Sequence, residues 1–413
     1  RKLVLEFKID FINISHSAYH GSYTISTQMA DMAFKNEEFQ HLTEALSVAI
    51  ADVPNKPVIM SVCRYNTMEL AETMLAKGTA DMVGMARAHI ADPEIVNKAY
   101  DAREHETTPC IACNQGCADL LSQNLAISCL TNPRAGKEKI WPKANLVKAN
   151  ISKPLLVVGG GPAGLEAAAV AGERGIEVTL VEAKSDIGGT LAWLKNMPLR
   201  KEFFNLIDSQ KRRLERSNVT IELNCPISTE ILQEYKNSHI IWAGGAKPRA
   251  EIFDNGEVAM TLEEALASSN QLGDSIYLVD HLGTWSVPSV AEYFADLGKK
   301  VTIVVPTGVL GWKISIYSSF ALKRRLREKN VQVISGHRVK SFANGFVEIE
   351  DLSLGKVSGS YQTNHVISSL AGSPNVPSEV ADMPTIKMVG DSVSARTALE
   401  AVYEGHETAL LLS

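Results

Sequence analysis

No stretch of this 413-residue sequence is a long apolar run: Ala409 to Leu412 is typical of the longest, far short of the roughly 20 residues a membrane-spanning helix needs. Nor is positive charge in excess. Lys and Arg number 41 against 47 Asp and Glu, a net charge of -6, so composition gives no electrostatic reason to bind nucleic acid or an anionic membrane surface. Cysteine is sparse too, six in the whole chain, which excludes the disulfide-stapled secreted miniprotein class. No signal peptide opens the chain, so a cytoplasmic location is expected; Arg1 is not an initiator methionine, and the natural N-terminus is expected upstream. What is present is 45% hydrophobic content, enough for two or three domains with separate cores.

Four of the six cysteines are crowded into one stretch, Cys110, Cys113, Cys117 and Cys129. The first three sit on one tight turn and the fourth returns from a short excursion, so four soft thiolates can converge on one inorganic centre. A [4Fe-4S] cluster takes such a set. Zinc is the rival, but structural zinc sites usually come as two separated C-x2-C pairs, and the second pair is missing here. Unligated thiols are a third reading. Cys63 and Cys225 read as ordinary buried thiols.

The first hundred residues alternate strand and helix. Phe11 to Ile14, Pro57 to Ser61 and Asp81 to Met85 are apolar strands; Glu38 to Ile50, Met68 to Lys77 and a segment begun by Pro93 are helical, with Thr67 as an N-cap and Gly78 as a stop. Repeated β-α units with continuous apolar strands imply a parallel sheet covered on both faces, and function in such folds sits past the C-terminal strand ends. Those ends are Ser15 to Gly21, Cys63 to Asn66 and Ala86 to His89.

Met82-Val83-Gly84-Met85-Ala86-Arg87, Ile90-Ala91-Asp92-Pro93, the cysteine run and Thr131-Asn132-Pro133-Arg134-Ala135 together resemble the old-yellow-enzyme-like flavoproteins that carry an iron-sulfur cluster and a C-terminal dinucleotide module, the trimethylamine dehydrogenase and 2,4-dienoyl-CoA reductase group. The resemblance runs from about Phe11 to the C-terminus. It implies a (β/α)8 barrel with FMN phosphate held at the last two strand ends, by Arg64 and Arg87 and by the backbone of Cys63 and of Gly84 to Ala86. An arginine fork and a turn rich in N–H donors suit a phosphate. The rival reading pairs each arginine with a local carboxylate. Such a barrel takes roughly 250 residues and only about 105 precede the cysteines, so three strands of eight are expected and the chain reads as the C-terminal part of a longer enzyme.

The loop after the first strand, Ser15 to Tyr23, carries two histidines and two tyrosines. His16, Tyr19 and His20 are the candidate catalytic residues, as acid-base groups or as an aromatic box for a methylammonium; the plain alternative is a solvated loop. With Thr24 to Met32 this loop is most similar to the N-methylproline demethylase branch.

The clearest motif is Gly159-Gly160-Gly161-Pro162-Ala163-Gly164 between a strand at Pro154 to Val158 and a helix at Leu165 to Arg174, followed by a strand Val178 to Val181 that ends on Glu182. This is G-x-G-x-x-G in its β-α-β setting, with an acid for ribose hydroxyls. Gly188-Gly189-Thr190 resembles the second glycine pair of FAD-dependent folds, and Val389-Gly390-Asp391 their late ribityl-facing motif. The cofactor-binding candidates are therefore Arg64, Gly84, Arg87, Gly159, Gly161, Gly164, Glu182, Gly189, Gly390 and Asp391. Glycine fingerprints read only the ADP half, so the dinucleotide is FAD or ADP. A second nucleotide-type fold begins at Ser275 to Val279, but its turn is Asp280-His281-Leu282-Gly283-Thr284-Trp285. Asp280 puts negative charge where a pyrophosphate would lie, and NAD(P)H is unsupported there.

The expected class is α/β: the C-terminal part of a (β/α)8 TIM barrel at 1–106, a [4Fe-4S] segment and linker at 107–150, an FAD- or ADP-binding Rossmann-like domain at 151–272 plus 365–413, and an inserted NAD(P)-type domain at 273–364. Three functions fit. One is a flavin and iron-sulfur N-demethylase of a small secondary or tertiary amine, with FMN taking hydride and the cluster passing electrons to an electron-transfer flavoprotein. Another is an NAD(P)H-dependent enoate or dienoyl-CoA reductase. The third is an electron-transfer module without substrate chemistry. A homo-oligomer is compatible with each.

Overall fold

The computed structural model describes residues 1–17, 21–36, 38–141, 153–217, 219–381, 383 and 386–412. The chain forms two compact units, one of Arg1–Asn145, Glu202–Arg213 and Ile316–Phe320, the other of Leu146–Lys201, Leu214–Ser315 and Ala321–Ser413. The cysteine segment, expected as a separate stretch, is thus part of the first unit.

In the first unit β1 (Phe11–Ile14), β2 (Val58–Ser61) and β3 (Met82–Val83) form a parallel sheet in that order. The helices Gln40–Ala49 and Met68–Ala76 intervene. Thr67 caps the second of these, accepting from Leu70 N at 3.3 Å; glutamate in the first turn suits the helix dipole. Ile50, Ile59, Met74 and Ile95 form the core on the helix side. The expectation of strands covered on both faces fails at Phe11, Val58 and Met82, which are exposed. Three strands make only an arc, and the face that a closed barrel would turn inward stays open. Helix Ile95–Tyr100 starts two residues beyond Pro93, after a turn.

The second unit holds two parallel sheets. In the first, β4 (Leu155–Val158), β5 (Val178–Val181), β6 (Val219–Glu222) and β7 (His239–Trp242) are joined by β18 (Ile386–Met388) in the order β18-β7-β4-β5-β6. Helix Pro162–Glu173 packs on it with Leu165 and the run Ala167 to Ala171 fully buried. Small residues let helix Ala398–Leu410 approach closely: a Cβ at Gly405 would lie 2.2 Å from Ala163 O. Glu166 and His406 meet at 2.8 Å across that contact.

A short antiparallel pair, β8 (Ala246–Lys247) with β17 (Ser373–Pro374), links the sheets. The other parallel sheet orders β12 (Gln332–Ser335), β11 (Lys300–Val305), β10 (Ser275–Asp280), β16 (His365–Ser369) and β9 (Met260–Thr261). An antiparallel sheet of β13 (His337–Ala343), β14 (Phe346–Asp351) and β15 (Lys356–Gln362) accompanies it. Here the sequence boundaries need correcting. β9 precedes 273 and β16 follows 364, yet both pair within the inserted sheet. The first sheet resumes only at Ile386, not near His365. Among the described residues no helix is long and apolar enough to cross a membrane.

Candidate functional site

The strand ends of the first unit surround a cavity of about 470 Å³, within the size range of small-molecule and cofactor sites. Its walls include Asn13, Met60, Cys63 and Arg64 from the ends of β1 and β2, and Gly84 to Arg87 after β3. Cys110 and Cys117 close another side. The turn after β2 is unusual in placing two successive non-glycine residues at positive φ, Cys63 at 92° and Arg64 at 58°. Such conformations are costly, about 1–3 kcal/mol each, and persist when surrounding contacts over-determine them.

Those contacts involve Arg64 itself. Its guanidinium is 1% exposed; it donates to the carbonyls of Asp31 and Phe34 and forms an ion pair with Glu202. The side chain expected to clasp a phosphate is thus engaged by protein partners, while Arg64 still lines the cavity. Burial raises the Glu202 carboxyl, with Arg64 and Arg87 opposing that rise. Arg87 remains at the cavity wall and donates to Asn114 Oδ1 at 2.7 Å.

His16 lies in the loop after β1, outside that wall, with its ring 4.0 Å from the Phe39 ring. Its Nε2 is buried without a hydrogen-bond partner. Burial, and then His41, lower its pKa, so the imidazole is neutral at pH 7. Tyr19 and His20 lie outside the described residues.

Cys110, Cys113, Cys117 and Cys129 all line one small enclosure, together with Arg87, Asn114, Gly116, Leu130 and Thr131. Asn114 turns left-handed at φ 59° and starts the π-helical turn Gln115–Asp119. Gly116 permits the return of the chain: a Cβ there would lie 2.7 Å from Ser128 O. Burial raises the Cys113 and Cys117 thiols and pushes Cys129 up to about 11. Among the described residues no three His, Cys, Asp or Glu side chains converge on a single-ion site. The enclosure contains four sulfur donors, no carboxylate and one cation, a donor set that fits a thiolate-held iron-sulfur centre better than a hard metal.

In the second unit the glycines of the β4 turn divide the work. Gly159 has φ +105°, and a Cβ would lie 2.3 Å from Ala243 O; at Gly164 a Cβ would lie 2.0 Å from Gly159 O. Gly159 lets the turn pass the backbone that follows β7, and Gly164 lets the helix start close on the turn. Gly161 is open, its Cβ position meeting only Gly189 Cα at 3.9 Å, so a ligand can approach the backbone where helix Pro162–Glu173 presents its N-terminal N–H groups. Glu182 follows β5 and accepts from Gly160 N at 2.7 Å and Lys184 N at 2.8 Å, leaving lone pairs for hydroxyl donors. Gly390 sits against the same helix start, its N–H donating to Glu404 at 2.8 Å. Burial raises Asp391 against the N–H of Arg396. These residues lie near one another at the strand ends of this sheet, where a helix N-terminus beside an acidic residue suits an adenine dinucleotide or ADP.

The turn after β10 is built to another plan. Asp280 is 1% exposed and accepts from Gly283 N at 2.9 Å; burial raises its carboxyl although backbone N–H groups face it. The Trp312 indole lies on Gly283, so close that a Cβ would be 2.2 Å from its Nε1. Arg200 stacks on Trp285 at 3.5 Å and donates to Ser289 in the following helix. Neither Trp312 nor Arg200 was among the sequence candidates, nor was Glu202.

Residues 2–106 match the NADH:flavin oxidoreductase / NADH oxidase family, and residues 154–270 match the FAD dependent oxidoreductase family. The chain is 33% identical over 272 residues to a probable N-methylproline demethylase of Rhizobium meliloti (strain 1021), covering 66% of this chain and 40% of that protein. It is 27% identical to a cinnamate reductase of Clostridium sporogenes, covering 87% and 53%. The solved structure of histamine dehydrogenase from Rhizobium sp. 4-9 superposes with a TM-score of 0.87 at 22% identity, over 98% of this chain and 61% of that one. The chain thus spans about half the length of the relatives it matches.

Proposed function

From an oxidoreductase chain that joins segments of the NADH:flavin oxidoreductase and FAD dependent oxidoreductase families, we propose oxidative N-demethylation of a small secondary or tertiary N-methyl amine, N-methylproline-like, as the activity of the enzyme to which these residues belong. The amine's N–CH3 carbon gives up a hydride and leaves an iminium, which water converts to formaldehyde and the demethylated amine. The cofactors, when bound, supply the two-electron acceptor (FMN) and a one-electron outlet (a [4Fe-4S] cluster), with FAD or ADP in the glycine-turn crevice.

In this reading Arg87 and the backbone from Cys63 to Arg64 and from Gly84 to Ala86 line the FMN cavity. Cys110, Cys113, Cys117 and Cys129 hold the cluster, and Gly159, Gly161, Gly164, Glu182, Gly189, Gly390 and Asp391 frame the dinucleotide crevice. His16, neutral through burial, accepts the proton of the ammonium substrate, while Tyr19 and His20 complete the substrate loop. A small amine and an electron-transfer flavoprotein are the partners.

The observation that supports oxidation over reduction is the turn after β10. Asp280 is buried in that turn and the Trp312 indole lies against Gly283; in this reading they stand in the way of a pyrophosphate, and hydride from NAD(P)H has no prepared entry. Reduction of an enoate is the second reading, favoured by the 27% identity to cinnamate reductase.

Formaldehyde and demethylated amine in equal amounts, formed from N-methylproline with an artificial electron acceptor, are the expected products; enoate reduction by NADPH under the same conditions would reverse the assignment. His16→Gln should slow amine oxidation by about 10²-fold or more. It should also remove the acid limb of the rate profile. Because burial lowers the His16 pKa, that limb lies below the ordinary histidine value of about 6.5. A limb that survives in His16→Gln assigns the base elsewhere.

A further inference from the structure

We propose that the Thr131 hydroxyl raises the reduction potential of the iron-sulfur centre, making it a better acceptor of electrons leaving the substrate; the inference rests on the cluster reading of the four thiols. Thr131 is buried, 6% exposed, and lines the same enclosure as the cysteines. Its Oγ1 lies 3.4 Å from Cys129 Sγ. A free thiol and a hydroxyl can each be the donor in such a pair. A metal-bound thiolate has no proton to give, so Thr131 then donates and Cys129 accepts.

The surroundings of the sulfurs differ. Cys129 faces the N–H groups of Thr131 and Asn132 in addition to the Thr131 hydroxyl. Cys113 is met by the N–H of Gln115, and Cys117 by backbone N–H groups and the positive charge of Arg87. Of these three, Cys129 alone has a side-chain donor. Reduction adds an electron that spreads onto the sulfurs, and a donor aimed at one of them stabilises the reduced state more than the oxidised state. Hydrogen bonds to ligand sulfurs are one of the main means by which a protein sets such potentials. Thr131 supplies the hydrogen-bond donor of this set that a mutation can remove without altering the backbone.

The test is an anaerobic, EPR-monitored redox titration of the full enzyme, wild type against Thr131→Val and Thr131→Ser, with metal and flavin content measured on the same samples. Thr131→Val keeps shape and removes the donor. It should retain its iron and become up to about tenfold harder to reduce, 59 mV for a one-electron couple. Thr131→Ser should return most of that difference. A Thr131→Val protein with full iron and the wild-type potential overturns the proposal and leaves the cluster intact. If the valine variant loses iron, Thr131→Ala against Thr131→Ser makes the same comparison, and equal potentials there overturn it as well. Zinc in place of iron in the wild type overturns the cluster reading itself, and metal analysis shows that before any titration.

Discussion

The two parallel sheets of the second unit both present a strand, a turn and a helix, yet they treat the turn in opposite ways. After β4 the chain keeps the turn open: a Cβ at Gly161 would meet nothing nearer than 3.9 Å, while Gly159 packs on the backbone after β7 and Gly164 brings the helix onto the turn. After β10 the turn is occupied by side chains: the Asp280 carboxyl accepts from Gly283 N, and the partly exposed Trp312 indole lies against Gly283. The shared β-α-β scaffold brings a helix N-terminus to both turns. The few side chains that differ between them support the proposal that only the first sheet takes a nucleotide.

Breaking the open turn should have the largest effect. In Gly164→Ala the new methyl would sit 2.0 Å from Gly159 O, so strand and helix must separate. We expect a loss of about 3 kcal/mol or more, together with the bound dinucleotide, read by thermal unfolding and cofactor release. Normal stability and cofactor content would mean that the close strand-helix packing is not what shapes the crevice. The matching change in the closed turn, Gly283→Ala, meets a φ of +65° and the Trp312 ring. It should cost about 1–3 kcal/mol and leave FAD or ADP content unchanged; cofactor loss would show that the two turns are not independent. The mildest change is Trp312→Ala. Trp312 is 52% exposed, so stability should move by about 1 kcal/mol or less. NADPH should still fail to bind by calorimetry, because the Asp280 carboxylate stays. Binding gained by that variant would identify the indole as the barrier.

Legibility in the sequence followed the range of the interactions. The cysteine spacing, the Thr67 cap and the glycine turn are read within a few residues of chain, and in the structure the four cysteines line one enclosure and Gly161 lies beside Gly189. The pairing of Arg64 with Glu202 spans 138 residues, and no local pattern announces it. The acidic residue ahead of helix Phe203–Glu215 looks like any N-terminal helix carboxylate. Trp312 gave no signal either, since a lone exposed tryptophan in a loop has no period. The boundary at His365 failed for another reason: β16 is a strand of only five residues that suits either parallel sheet, and only its register with β10 decides. The glycine motif also could not reveal that Gly159 and Gly164 serve packing while Gly161 faces outward, because that division follows from the geometry of the turn.

The measurement that bears most directly on the direction of electron flow is anaerobic bleaching of the flavin spectrum of the full enzyme, with flavin and iron quantified together. N-methylproline should bleach the spectrum and NADPH should not, as expected for an amine oxidiser whose second nucleotide turn is closed. Bleaching by NADPH alone would contradict the account and establish the reductive direction.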